Sequence, residues 1–141
     1  MKRILCATRG GDASRKTQDM VIAMALEEEA TILFLYVVDV EFLKLTARGV
    51  RADTVTTEME ALGEFLLAMA CERAAAQGVP AETCIRHGPL VEALESVVRE
   101  EGADAIAFGR PAGLDSSFSL SDLERLTLRI EEDTGIKTYI L

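Results

Sequence analysis

Two short loops in this sequence concentrate the residues best suited to hold an anion. Thr8-Arg9-Gly10-Gly11 follows one apolar run near the start of the chain, and Gly109-Arg110-Pro111 follows another far downstream. Arginine presents a planar fork of N–H donors that can clamp a phosphate or carboxylate bidentately. Glycine lets backbone N–H groups come close to ligand oxygens. Each loop supplies both residue types. The stretch Ser116-Ser117-Phe118-Ser119-Leu120-Ser121 adds hydroxyl donors that could serve the same anion, although Ser121 also reads as a helix cap. The alternative is that the arginines are solvated or pair with Asp12, Asp39, Asp115 or Asp122.

Catalytic chemistry finds less support. His87 is the one histidine, so any Ser-His or Cys-His pair would have to use it, and nothing near it in sequence supports that role. No Cys/His spacing suits zinc. Cys6, Cys71 and Cys84 are odd in number and sit in apolar segments, which argues against a disulfide framework and for a reducing cytoplasm. Cys6 and Cys84 read as core packing.

The bulk properties narrow the partners. A net charge of −9 repels nucleic acid and anionic lipid at long range, so neither is expected as a partner. No apolar run is long enough to cross a bilayer, and the N-terminus carries no cleavable signal pattern. With 49% hydrophobic and 28% charged residues over 141 positions, the chain reads as one globular domain spanning 1–141.

The elements that must position these loops alternate. Strand-like runs are expected near 4–8, 31–38, 81–87, 104–108 and 136–141. The second, Thr31 to Val38, is continuously apolar, as a strand covered on both faces should be. The third is more polar and reads as nearer an edge. Helices are expected between them. The first runs from about Ser14 to Glu29, capped by Asp12 or Ser14, with Val21, Met24 and Ala25 inward. The second starts near Thr57, where Thr57-x-x-Glu60 is a capping box, and carries Leu62, Phe65, Leu66 and Met69 at helical spacing. Pro89 opens the third and Gly102 closes it. The fourth begins at the box Ser121-x-x-Glu124, places Leu123, Leu126 and Ile130 on one face, and ends at Gly135. An irregular stretch from Asp39 to Asp53 carries Lys44, Arg48 and Arg51. This alternation predicts a doubly wound α/β fold, Rossmann-like, with a mostly parallel five-stranded sheet and helices on both faces. Ligands in such sheets bind beyond the carboxyl ends of the strands, where the strand order reverses.

Charge is distributed unevenly on that frame. Glu27-Glu28-Glu29, Glu100-Glu101 and Glu131-Glu132-Asp133 fall at helix C-termini, away from the crevice. Arg9, Arg15, Lys16, Lys44, Arg48, Arg51, Arg86 and Arg110 fall toward it. The pattern predicts a crevice face much less negative than the net charge suggests.

Over its whole length the chain resembles the universal stress protein family. Lys2-Arg3-Ile4-Leu5-Cys6-Ala7-Thr8 is similar to the family's first strand, and Leu35-Tyr36-Val37-Val38-Asp39 to the end of its second. The most specific likeness is Gly88-Pro89 together with Glu101-Gly102-Ala103-Asp104-Ala105-Ile106-Ala107-Phe108-Gly109, which follows the pattern G-x-P…E-x-G-A-D-x-I-x-x-G. The resemblance implies strand order 3-2-1-4-5 and homodimers paired through the last strand. It also implies ATP as the ligand of those members that carry G-x-x-G, nine residues, then G-S or G-T after the fourth strand. Here Ala112 stands where the second glycine belongs, with Gly113 one residue later, and Asp122-Leu123 stand where the glycine and hydroxyl belong. Arg9 replaces an acidic residue usual after the first strand. These departures predict weak or absent ATP affinity.

Arg9-Gly10-Gly11-Asp12-Ala13-Ser14 is also similar to the S-G-G-x-D-S loop of ATP pyrophosphatases, but it lacks the leading serine and has no room for a substrate domain. The expectation is therefore a small cytoplasmic stress-response or regulatory binding module, not an enzyme. Its anion or nucleotide crevice would comprise Thr8, Arg9, Gly10, Val38, Gly109, Arg110, Gly113, Ser119 and Ser121. The alternatives are a ligand-free dimeric protein-interaction module and, further off, a pyrophosphatase-type enzyme. The last strand, Ile136 to Leu141, has the β-branched and aromatic character of an edge that invites pairing with a second copy. Proline at Tyr139 is expected to weaken that pairing.

Overall fold

The computed structural model describes residues 2–8, 12–38, 52–110 and 119–141. The loop residues Arg9, Gly10, Gly11, Gly113 and Ser116–Phe118, and the stretch 39–51 with Lys44, Arg48 and Arg51, lie outside the described residues.

Five strands form one parallel sheet: β1 (Arg3–Ala7), β2 (Thr31–Val38), β3 (Ala81–His87), β4 (Ala105–Phe108) and β5 (Lys137–Ile140). The order is β3-β2-β1-β4-β5, with β1 paired to β2 on one side and to β4 on the other. Among the described residues, four helices connect them: α1 (Asp12–Glu28), α2 (Ala52–Ala76), α3 (Leu90–Val97, continuing through a π-helical turn to Gly102) and α4 (Leu120–Thr134).

Strand parity divides the core. Ile4, Cys6, Ile32, Phe34, Tyr36 and Val38 face one way and pack with Val21, Ile22 and Ala25 of α1 and Leu67, Ala70 and Ala74 of α2. Leu5, Leu33, Leu35, Ile106 and Phe108 face the other way, against Leu94 and Val97 of α3 and Leu123, Leu126 and Ile130 of α4. Both faces of β2 are thus covered, which is why its sequence shows no alternation. The more polar β3 lies at one edge, as its composition suggested, and β5 lies at the other.

Two helix starts differ from the sequence expectation. Helix α2 begins at Ala52, so Thr57 lies inside it, and Glu60 is turned toward His87, with Oε1 2.6 Å from Nε2. A carboxylate engaged across to β3 is not reaching back to close a capping box. Helix α4 begins two residues earlier than a cap at Ser121 would place it. Ser119 is the cap: its hydroxyl accepts from the Asp122 N–H at 3.1 Å, and the Asp122 carboxylate accepts from the Ser119 N–H at 3.0 Å. Ser121 is an exposed first-turn residue. At the other end, Gly135 takes the left-handed conformation (φ 72°) that closes α4 without a Cβ penalty.

The inward face of α2 also differs. Leu62 and Phe65 remain 49% and 62% exposed, while Gly63, Leu67, Ala70 and Ala74 face the sheet. A Cβ on Gly63 would lie 2.5–2.9 Å from ring atoms of Tyr36. Small residues win the contact because they let the helix axis come close to β2. Of the large apolar residues at helical spacing, Leu66 packs against this core while Leu62 and Phe65 do not.

Candidate ligand-binding crevice

The crevice is set by β1, which lies between β2 and β4. The registers Cys6↔Ala107 and Ala7↔Leu35 bring the carboxyl ends of β1 and β4 level, while β2 runs on three residues past Leu35 to Val38. From β1 the chain passes to α1 on one face, and from β4 it passes to α4 on the other. The two exits therefore diverge, and Thr8 and Gly109 stand on either side of the gap between them.

Thr8 is 4% exposed, and much of its capacity is engaged internally. Its N–H donates to the Leu35 carbonyl at 2.8 Å. Its hydroxyl lies 3.0 Å from Ser14 Oγ and accepts from Gln18 Nε2 at 2.8 Å. Ser14 and Gln18 were not among the expected site residues. They follow Thr8 at i+6 and i+10, a spacing that meets only once α1 folds back over the end of β1. Val38 is fully buried in the core, and its carbonyl accepts from Gly88 N–H at 3.0 Å. Its side chain supports the crevice from below.

Gly109 is half-buried where the loop after β4 crosses α1. A Cβ there would lie 3.2 Å from Thr17 Cβ and closer still to its hydroxyl oxygen. The absent side chain is thus already matched by Thr17, another residue the sequence gave no reason to select. Arg110 follows, exposed, and forms no ion pair among the described residues. At the start of α4, Ser119 turns both its N–H and its hydroxyl toward Asp122, whose second oxygen accepts from Arg125 Nη2 at 2.7 Å. These bonds hold the Asp122 carboxyl below its ordinary range, the Ser119 N–H contributing most.

The loops that the resemblance assigns to phosphate binding, 9–11 and 111–118, lie outside the described residues. The start of α4, which could welcome phosphate, already carries the Asp122 carboxylate, and the space beside Gly109 is filled by Thr17. Among the described residues, Arg110 is exposed after Gly109, and Thr8, Ser14 and Gln18 form a hydrogen-bonded network where α1 meets the end of β1.

Of the expected charge pattern, Arg9, Lys44, Arg48 and Arg51 lie outside the described residues, and one of the rest is corrected. Glu28 pairs with Lys2, and Arg3 pairs with Glu82 and donates to the Glu101 carbonyl, all at the amino ends of the strands. Arg86, expected on the crevice side, folds back instead to Glu100 at 2.8 Å and Glu101 at 3.8 Å. Its long side chain reaches the acidic end of α3, where opposite charge is densest.

Among the described residues no group of three or more acidic, His or Cys side chains could hold a metal ion, and no helix is long and apolar enough to cross a membrane. Burial pushes the Cys6 thiol up to about 12 and raises Cys71 and Cys84 as well.

Residues 1–128 match the family model described as the universal stress protein family. The chain belongs to the universal stress protein family. Solved universal stress proteins share its fold. One from Burkholderia pseudomallei is 23% identical, with a TM-score of 0.77 over 99% of this chain and 95% of that one. A universal stress protein in complex with cAMP is 19% identical, with a TM-score of 0.70 over 99% and 96%. An Arabidopsis thaliana family protein with AMP bound is 13% identical, with a TM-score of 0.68 over 100% and 91%. No curated protein matches the chain in sequence.

Proposed function

We propose that this universal stress protein is a single-domain regulatory module, residues 1–141, which binds a nucleotide or related phosphate-bearing ligand in the crevice between β1 and β4. The observation that carries the reading is the divergence of the chain after Thr8 and Gly109, with the Arg110 guanidinium exposed beside it. Arg110 suits one phosphate held bidentately. The Ser119–Asp122 box places a negative charge where further phosphates would need donors, so ligands with one phosphate are favoured over MgATP. Two similar folds carry AMP and cAMP, each with a single phosphate, which accords with this preference. Mass spectrometry of small molecules released from the purified protein tests the reading, and a mononucleotide in near-stoichiometric amount is the expected result.

The module acts by binding, in the cytoplasm, without catalysing a reaction. His87 is engaged with Glu60, and the buried Cys6 thiol is a poor nucleophile. A second copy pairs with it along β5. Leu141 N–H donates to the Phe108 carbonyl at 2.8 Å, so Tyr139 and Leu141 face β4. By strand alternation the N–H and C=O groups of Thr138 and Ile140 point to the free edge. Proline at Tyr139 would then break the β4 ladder rather than the dimer, which corrects the choice of that position as a probe. Sedimentation equilibrium at micromolar to millimolar protein is the check, with a monomer–dimer equilibrium expected.

A further inference from the structure

The free edge of β5 is occupied. Glu131 lies in the last turn of α4, and its Oε1 accepts from the Thr138 N–H at 2.9 Å and from the Thr138 hydroxyl at 2.8 Å. Thr138 is one of the two residues whose backbone groups point away from β4. An incoming strand would place a carbonyl oxygen against that same N–H. We propose that Glu131 is an intramolecular guard of the β5 edge, which a second copy must displace before the two edges can pair.

The geometry is specific to the edge. One carboxylate oxygen takes both donors of Thr138, a charge-assisted arrangement stronger than a neutral backbone pair. The bonds from Thr138 hold the Glu131 carboxyl below its usual range, the backbone N–H contributing most and Lys137 adding to it, so the guard stays ionised at neutral pH. Among the described residues no cation forms an ion pair with it: β4 (Ala105–Phe108) is apolar, and on α4 Arg129 lies 3.7 Å from Asp133. The turn after α4 does not depend on this side chain, because Gly135 N–H is held by the Glu131 backbone carbonyl at 2.8 Å. In a two-fold dimer the same site occurs twice, so assembly displaces two carboxylates. The device matches a general need of sheet proteins, which blunt exposed edges with inward-turned charge.

This inference rests on edge pairing through β5, and the test separates the two. Sedimentation equilibrium is run on the wild type, Glu131→Ala and Glu131→Asp, the last keeping the charge on a shorter stem. Circular dichroism first verifies that each variant is folded. The expected result is a dimer dissociation constant lowered about tenfold or more by Glu131→Ala, since one net hydrogen bond per protomer no longer opposes pairing. A wild type that stays monomeric while Glu131→Ala dimerises supports the guard still more strongly. A wild type that dimerises with unchanged or weakened affinity in Glu131→Ala overturns the guard and leaves edge pairing standing. If neither chain associates at the highest concentration, edge pairing itself fails and the guard fails with it. Hydrogen exchange at dilute protein gives an independent measure: the Thr138 amide should exchange faster in Glu131→Ala than in the wild type, and equal rates would overturn the proposal.

Discussion

Gly109 and Thr17 are packed face to face, so that a Cβ on the glycine would sit 3.2 Å from the threonine Cβ and closer to its oxygen. This contact joins the loop leaving β4 to the helix leaving β1, and it fixes how wide the crevice can open. Gly109→Ala should lower unfolding free energy by about 1–3 kcal/mol, the usual range for overpacking a tight contact. Thr17→Ala in the same chain should return part of that loss. Urea denaturation of the single and double variants measures it, and strictly additive losses would mean the two residues do not meet.

A second expectation concerns the start of α4. Ser119→Ala removes the side-chain half of the capping box and should cost about 1 kcal/mol. The Asp122 carboxyl is held below its ordinary value of 3.8 first by the Ser119 N–H, which alanine keeps, and then by the Ser119 hydroxyl, whose share is fully present above that pH and fades as acid protonates the folded state. The stability gap between wild type and Ser119→Ala should therefore narrow below about pH 3.8. A gap that widens on acidification would contradict the assignment.

How far the sequence could be read follows from which features are local. The apolar run of β2 and the bounds of β3, Ala81–His87, are legible because strand character is carried by the residues themselves. The strand order came from the family pattern around Gly88-Pro89 and Glu101 to Gly109, not from periodicity, and the structure agrees with it. The inward face of α2 was legible only in Leu66, because Gly63 and Ala70 win by being small, a property that matters only once Tyr36 is opposite. Thr8 and Gly109 were legible as residues at the ends of β1 and β4, whereas Thr17, Ser14 and Gln18, which they contact, carry no local signal. The Ser119 cap was overlooked for Ser121 because glutamate, not aspartate, is the expected partner at the third position.

The thiols should be quiet. Cys6 is fully buried with its thiol raised to about 12, and burial also raises Cys71 and Cys84. An aromatic disulfide reagent at about pH 8 should modify Cys71 and Cys84 more slowly than a free thiol and reach Cys6 only on unfolding. Peptide mapping after timed labelling gives the order. Rapid labelling of Cys6 in the native protein would show that β1 is not packed as described.

The account turns on the crevice, and calorimetric titration with AMP, cAMP and MgATP tests it most directly. Saturable binding of AMP or cAMP is predicted, with MgATP weaker by about tenfold or more, a difference of about 1.4 kcal/mol. Arg110→Ala should abolish most of the mononucleotide affinity. Sub-micromolar MgATP binding, or no binding of any of the three at millimolar concentration, would contradict it.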